Sequence, residues 1–339
     1  VIVTVTPNPS LDLTYQLSGS DALTDPAVEV HRAHAVSLEA SGKGVNVSRA
    51  LTRVGRPSPA VLFTGGATGR QLLDLLTAEK VPFRAVPQAG ATRVNTTVLT
   101  PNGPTTKLNA PGSGLTQDEL DNLVIAANNE MVTLSSGTGQ DPDRWLLICG
   151  SMPPGTDAGA LIGQLVAAAH AQGWRAAVDS SGPGLQAGFD AGADLLAPNA
   201  AELAAVLGPD RLPPDADLPT LAATARDEAA RRGIELLISL GADGALWTDG
   251  RRTRHARGPV VVPVNSAGAG DALLAGWFSA PSGPSDPTYP SDSAADPGRR
   301  LATAVAWGTA GCLAPTTVAV DGDPPSLDSV LISDPLEAP

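Results

Sequence analysis

The run Gly268-Ala269-Gly270-Asp271 puts one carboxylate in a turn otherwise built of glycine and alanine, directly ahead of an apolar segment starting at Ala272. Residues this small let backbone N–H groups approach a ligand closely. At a helix start those N–H groups lack intrahelical acceptors, so with the helix dipole they form an anion site. Asp271 then has two readings. It is either an ordinary helix cap, or a base that takes the proton of an attacking hydroxyl while the turn holds charge building on a transferred phosphoryl group. Two common nucleotide motifs are excluded. A dinucleotide fingerprint needs glycine three residues beyond its second glycine, where this chain has Leu273. A P-loop needs Ser or Thr after its lysine, and Ser41-Gly42-Lys43-Gly44 continues with glycine.

The run Ser41-Gly42-Lys43-Gly44-Val45-Asn46 is a second Gly-rich turn that opens a helix. Asn46 carries a donor and an acceptor suited to sugar hydroxyls, or is simply a polar residue at a helix entry. The chain has three lysines, Lys43, Lys80 and Lys107, against nineteen arginines. A sequence that otherwise chooses arginine keeps lysine in this turn and in one strand, which points to specific partners, such as a phosphate, for Lys43 and Lys107. Arg32 and Arg93 are further phosphate candidates, with a solvated charge as the plain alternative for each. Asp12, after the bend Pro7–Pro9, could accept hydrogen bonds from two sugar hydroxyls or merely form a turn. Asn199 and Glu202 share one face of a new helix, where they organise magnesium through water or form a capping box.

Strands and helices must hold these residues in place. Residues 1–5 read as a buried strand that Thr6-Pro7-Asn8-Pro9 ends. Residues 12–40 are poor in helix signals. Helices are expected at 45–54 and 69–79, and short strands at 61–63, 93–100 and 105–109, the last two joined by a turn at Asn102-Gly103. Then the pattern repeats: strands 145–149, 175–179, 194–197 and 235–239 interleave with helices 158–171, 184–189, 200–207 and 218–232. That alternation predicts a mostly parallel sheet covered by helices on both faces, with ligand sites at the carboxyl ends of the strands. Strands at 244–248 and 259–264 precede helices 268–279 and 299–313. The Pro/Ser/Asp stretch 280–297 reads as a surface loop, and the tail as peripheral.

Composition narrows the function classes. A chain of 339 residues with 42% hydrophobic content builds a large core, but with 3% aromatics it does so mainly from aliphatic side chains. A net charge of −13 argues against nucleic acid and anionic membranes as partners. Two scattered cysteines, Cys149 and Cys312, make neither a disulfide framework nor a zinc site and fit a reducing cytoplasm. No apolar run is long enough to span a bilayer. The opening Val1–Val5 lacks the features of a signal peptide.

Taken in order, these runs resemble the ribokinase-like carbohydrate kinases, the PfkB family, over nearly the whole chain. Thr6-Pro7-Asn8-Pro9-Ser10-Leu11-Asp12 is similar to the family's opening, Ser41–Asn46 to its first signature and Asn265–Gly276 to its second. Thr92–Asn95, Gly150–Gly155, Asp179–Gly182, Pro198–Leu203 and Ser239–Gly244 fall between in the family's order. The resemblance implies an α/β domain (1–11, 41–89 and 111–339) and a small β-sheet lid (12–40 and 90–110) that pairs two copies into a homodimer. It implies Asp271 as base, with Gly268, Ala269 and Gly270 as anion hole. Asp12, Gly42, Lys43, Asn46 and Ser151 fall on the substrate side. Asn199, Ser239, Gly241, Gly244 and Ala267 fall on the nucleotide side, and Asn199 with Glu202 on Mg²⁺, through water. ATP and Mg²⁺ are the implied cofactors. The opening run and Thr92–Asn95 resemble the branch of 1-phosphofructokinases and tagatose-6-phosphate kinases, where Arg93, helped by Arg32, Lys43 or Lys107, would grip a phosphate already on the sugar. Fructose 1-phosphate is then the expected acceptor. Tagatose 6-phosphate and fructose 6-phosphate are alternatives, and further readings are an unphosphorylated-sugar or nucleoside kinase or a non-catalytic sensor. Ser41 stands where the family usually has glycine, and Ala197 where lysine often precedes Pro-Asn.

Overall fold

Runs such as Ile2–Thr6 and Trp145–Cys149 are buried along their whole length. Such runs become strands inside a parallel sheet, because both faces there must be covered. The computed structural model describes residues 1–18, 30–100, 105–136, 143–280, 297–314, 316–318, 327 and 329–336. The expected turn at Asn102-Gly103 and the stretch 281–296 lie outside the described residues. Along the chain the elements are β1 (Ile2–Thr6), β2 (Ser10–Leu17), β3 (Ala33–Ser41), α1 (Lys43–Arg53), β4 (Ala60–Thr64), α2 (Gly66–Ala78), β5 (Phe83–Pro87), β6 (Arg93–Leu99) and β7 (Thr106–Leu108). Next come α3 (Gln117–Ser135), β8 (Trp145–Cys149), α4 (Ala158–Ala171), β9 (Arg175–Asp179), α5 (Pro183–Asp190), β10 (Leu195–Leu196), α6 (Ala200–Leu207) and α7 (Leu218–Arg232). The chain continues with β11 (Glu235–Ser239), β12 (Ala245–Thr248), β13 (Thr253–Arg257), α8 (Ala269–Ser279), α9 (Pro297–Leu313) and β14 (Leu331–Ser333).

The large sheet has the order β14-β13-β12-β11-β10-β9-β8-β1-β4-β5. It is parallel from β5 to β11 and antiparallel from there to β14. Side chains alternate between its faces, as the strand period requires. Val3, Val5, Leu146, Ile148 and Val178 join a core with α3 to α7. Ile2, Trp145, Leu147, Cys149 and Ala177 join one with α1, α8 and α9. Two aromatic pairs pin α8. Trp145 meets Phe278 edge-on at 5.1 Å and Trp247 stacks on Trp277 at 5.8 Å. Pairs of this kind contribute about 0.5–1.5 kcal/mol each beyond area burial, and here they fix the helix that begins at the Gly-rich turn.

A separate four-stranded sheet, β3-β2-β6-β7, stands beside the large one. Its strands β2 and β3 pair antiparallel and β2 and β6 parallel. A buried arginine ties it down. Arg49 of α1 donates to Glu39 of β3 at 3.2 Å, to Glu79 at 2.7 Å and to the Ala40 carbonyl at 2.9 Å.

Four local expectations need correction. No strand covers 259–264; the strand is β13, because Asp249 Oδ1 accepts the N–H groups of Arg251 and Arg252 and turns the chain straight back on β12. Pro259 and Pro263 also have no N–H for a ladder. Helix α3 has no counterpart among the expected elements: Leu120, Leu123, Val124, Ala127, Met131 and Leu134 pack inward, but exposed Ile125 and Val132 interrupt the apolar pattern, and the capping box, Thr116 with Glu119, is the signal that marks it. Edge strand β5 was likewise unexpected. The tail is not merely peripheral, because Leu331–Ser333 adds β14 to the sheet edge.

Candidate active site

Parallel strands bring their carboxyl ends to one side. A cleft of about 610 Å³ opens there, lined by Asn8 after β1, Gly150 and Ser151 after β8, Asp179 ending β9, Asn199 after β10 and Ser239 ending β11. The small sheet supplies Ser10, Asp12, Arg93, Asn95 and Lys107; α1 and its turn supply Ser41, Gly42, Lys43 and Asn46; the turn before α8 supplies Ala267, Gly268, Gly270 and Asp271. Beside it lies an apolar pocket of about 470 Å³ lined by Gly241, Gly244, Val260, Pro263, Ala269 and Cys312. Ser239, Ser266 and Gly270 line both, so the two cavities meet at the Gly-rich turn.

Backbone geometry explains the glycines here. Gly268 has φ +79°, and a Cβ on it would fall 1.9 Å from the Thr317 carbonyl oxygen. Gly42 has φ +120°, and a Cβ there would meet Thr6 Cγ2 at 2.8 Å. Positions 42 and 268 therefore exclude a side chain. Asn265 Oδ1 accepts the Ala267 N–H at 2.9 Å and shapes the turn. That N–H is consequently engaged within the protein and the Ala269 N–H is loosely held by the Ser266 carbonyl at 3.5 Å, which leaves Gly268, Gly270 and Asp271 as the donors of the turn suited to an anion.

Asp271 is 8% exposed. Its Oδ2 accepts from Asn46 Nδ2 at 2.7 Å. Burial pushes its carboxyl up to about 6, helped by the nearby Asp179 charge and opposed by Lys43 and the Asn46 hydrogen bond. A carboxyl poised there is ionised at neutral pH yet basic enough to take a proton. Lys43 Nζ donates to Asp179 Oδ1 at 2.7 Å, and chiefly that carboxylate pushes the ammonium up and holds it charged. Asp179, drawn from a run noted only for its order in the chain, is thus a member of the site that sequence reasoning missed.

Asp12 is held by three donors. Ser10 Oγ reaches Oδ1 at 2.7 Å, Asn95 Nδ2 reaches Oδ1 at 3.0 Å and Ser41 Oγ reaches Oδ2 at 2.7 Å. Arg93 donates to the carbonyls of Ala110 at 2.8 Å and Asn8 at 2.9 Å, and burial lowers its guanidinium. Its Nε is buried without a partner among the described residues. Lys107 is exposed at the cleft, and Ser151 accepts from Asn8 Nδ2 at 3.3 Å.

Asn199 and Glu202 form the capping box that was one of their two readings. Asn199 N–H donates to Glu202 Oε2 at 2.9 Å and Glu202 N–H to Asn199 Oδ1 at 2.8 Å. Glu202 keeps its other oxygen, so the pair fits a hard cation held through water rather than directly. Arg32 does not reach the cleft of its own chain. It is exposed at the outer end of β3, whose other end, Ser41, reaches the cleft; nine residues of strand separate them by roughly 30 Å.

The match of the chain to known proteins is extensive. A model of the pfkB family carbohydrate kinases matches residues 6–307. A 1-phosphofructokinase of Haloferax volcanii is 35% identical over 281 residues, 83% of this chain and 84% of that protein. The ATP-dependent 6-phosphofructokinase isozyme 2 of Escherichia coli is 33% identical over 278 residues, 80% of this chain and 83% of that protein. The crystal structure of phosphofructokinase-2 from Escherichia coli in complex with fructose-6-phosphate superposes with a TM-score of 0.75 at 29% identity, covering 92% of this chain and 93% of that one.

Proposed function

The chain belongs to the pfkB family of carbohydrate kinases, and from that premise we propose that it transfers the γ-phosphoryl group of ATP to a hydroxyl of a ketohexose phosphate, fructose 1-phosphate giving fructose 1,6-bisphosphate. One observation carries the reading: a buried carboxylate, Asp271, sits where a polar cleft and an apolar pocket meet at a helix N-terminus. The polar cleft suits a sugar phosphate. The apolar pocket suits an adenine ring.

In this reading Asp12 and Asn46 orient the sugar, and Asp271 takes the proton of the attacking hydroxyl. The new oxygen–phosphorus bond forms as the bond from the γ-phosphorus to the bridging oxygen of ADP breaks. N–H groups of Gly268, Gly270 and Asp271 hold charge on the phosphoryl oxygens during transfer. Asn199 and Glu202 would hold Mg²⁺ through its water shell, and the ion would supply charge neutralisation at the phosphates. Arg93, with Lys43 or Lys107, grips the phosphate already on the sugar through its remaining donors.

The small sheet acts as a lid, and its exposed Val36 and Leu108 pair with those of a second copy in a homodimer. Among the described residues no helix is long and apolar enough to cross a membrane, and the enzyme is assigned to the cytoplasm, where ATP and Mg²⁺ are supplied. The test is a panel of fructose 1-phosphate, fructose 6-phosphate, tagatose 6-phosphate, fructose and ribose with ATP and Mg²⁺. Turnover should be highest with fructose 1-phosphate and lost in Asp271→Ala. Wild-type turnover no faster than Asp271→Ala on every acceptor defeats the kinase reading. Preference for fructose or ribose defeats the assignment of Arg93 to a phosphate.

A further inference from the structure

Ser41 ends β3, a strand of the small sheet, and its side chain is 3% exposed. A serine hydroxyl has one proton to give. Here Oγ gives it to Asp12 Oδ2 at 2.7 Å, so its lone pairs are left to face Asn46 Nδ2 at 3.5 Å. The same Nδ2 donates its shorter bond to Asp271 Oδ2 at 2.7 Å. Four side chains from β2, β3, α1 and α8 therefore form one continuous chain, from the carboxylate that faces the sugar to the carboxylate that takes its proton. Asn46 Oδ1 is buried with no partner among the described residues. With Nδ2 committed to two acceptors, that oxygen is the one atom of the amide left for a donor in the cleft.

We propose that Ser41 is a positioning residue that ties Asp12 of the small sheet to the base Asp271 through Asn46, so that sugar recognition and base geometry are set as one unit. This rests on the reading of the cleft as a sugar-phosphate kinase site. Glycine or alanine at position 41 leaves Asp12 with two donors and frees Asn46 to turn. Other charged groups facing Asp271 are Asp179 of β9, Lys43 of α1 and Asp12 of β2, and of these a substitution at 41 touches Asp12 alone, which loses a donor. Since the Asn46 bond holds the Asp271 carboxyl down, loosening it moves the titration of that carboxyl to higher pH. A displaced Asp12 acts the other way, but it is the smallest of the influences on Asp271.

The experiment compares wild type, Ser41→Ala and Ser41→Thr with fructose 1-phosphate, ATP and Mg²⁺ across pH 5 to 8. In parallel, the Asp271 carboxyl is titrated by carbon-13 NMR in substrate-free protein. Losing a hydrogen bond to a charged group should raise the KM for the sugar phosphate roughly tenfold in Ser41→Ala, leave the KM for ATP unchanged and shift the acid limb of kcat upward. Ser41→Thr, which keeps the hydroxyl, should recover most of the loss. If wild type turns over and Ser41→Ala matches it in KM and pH profile, the tie is wrong while the kinase reading stands. A KM rise without movement of the Asp271 titration makes Ser41 a partner of Asp12 alone and overturns the tie. If wild type turns over no acceptor, the kinase reading fails. The NMR titration then decides the tie alone, and identical Asp271 titrations in wild type and Ser41→Ala refute it.

Discussion

Replacing Asp271, the proposed base, by its neutral isostere should make this protein more stable and nearly inactive, and the gain should depend on pH. The Asp271 carboxyl titrates near 6 in the folded protein, against 3.8 for an ordinary aspartate, mainly because burial disfavours its charge. Below pH 3.8 both folded and unfolded chains carry it protonated, and it contributes nothing. Between the two values the unfolded chain ionises first, so stability falls as pH rises. Above pH 6 the cost is fully present, on the order of 3 kcal/mol. Asp271→Asn removes that cost, and the amide oxygen still accepts from Asn46. At pH 7.5 urea denaturation should therefore show a gain approaching ~3 kcal/mol, with a melting temperature higher by roughly 5 °C. At pH 4.5 the gain should shrink to about 1 kcal/mol. Turnover should fall by roughly 10²- to 10⁴-fold. An asparagine variant no more stable than wild type at pH 7.5, or equally stabilised at both pH values, would show that the buried charge carries no such cost.

Three further substitutions probe other parts of the site. Arg93→Ala should raise the KM for fructose 1-phosphate by roughly 10²-fold and leave the weak turnover of unphosphorylated fructose unchanged, as read in a coupled assay. Gly268→Ala places a Cβ against the Thr317 carbonyl at a backbone angle of +79°; kcat should drop by at least ~10² as the turn shifts, with far-UV circular dichroism unchanged. Arg49→Met leaves Glu39 and Glu79 facing each other without their shared cation, and urea unfolding should show a loss of roughly 3–5 kcal/mol.

Where a signal is local, the sequence carries it. Helix α7 reads at its true limits because Asp217 caps its start and Gly233, in the left-handed region at φ +69°, stops it. The turn at Gly268–Asp271 reads as an anion site for the same reason: glycines and a carboxylate within four residues are enough to suggest one. Helix α3 has an equally local capping box, but the exposed apolar side chains Ile125 and Val132 blur the periodicity of its inner face. Strand β13 was misplaced because valines at 260–262 read as a strand, while the turn made by Asp249 settles the matter through hydrogen bonds that composition does not display.

The site's electrostatics are illegible in the sequence for a different reason. Asn46 and Asp271 are 225 residues apart, Lys43 and Asp179 are 136 apart, and Asn95 lies 83 residues from Asp12. The large sheet, by ending β1, β8, β9 and β11 on one side, gathers the first two pairs, and the pairing of β2 with β6 in the small sheet sets Asn95 beside Asp12. The carboxyl of Asp271 is raised by a burial and an Asp179 charge that no window of sequence contains. Arg32 shows the converse. It shares the polarity of its neighbours, but a strand of fixed rise carries it out of reach. A residue's type thus bounds its chemistry, and its element decides whether that chemistry meets the cleft. Ser41 is where the two join, because one hydroxyl at the end of one strand touches both the Asp12 carboxylate and the Asn46 amide that bonds Asp271.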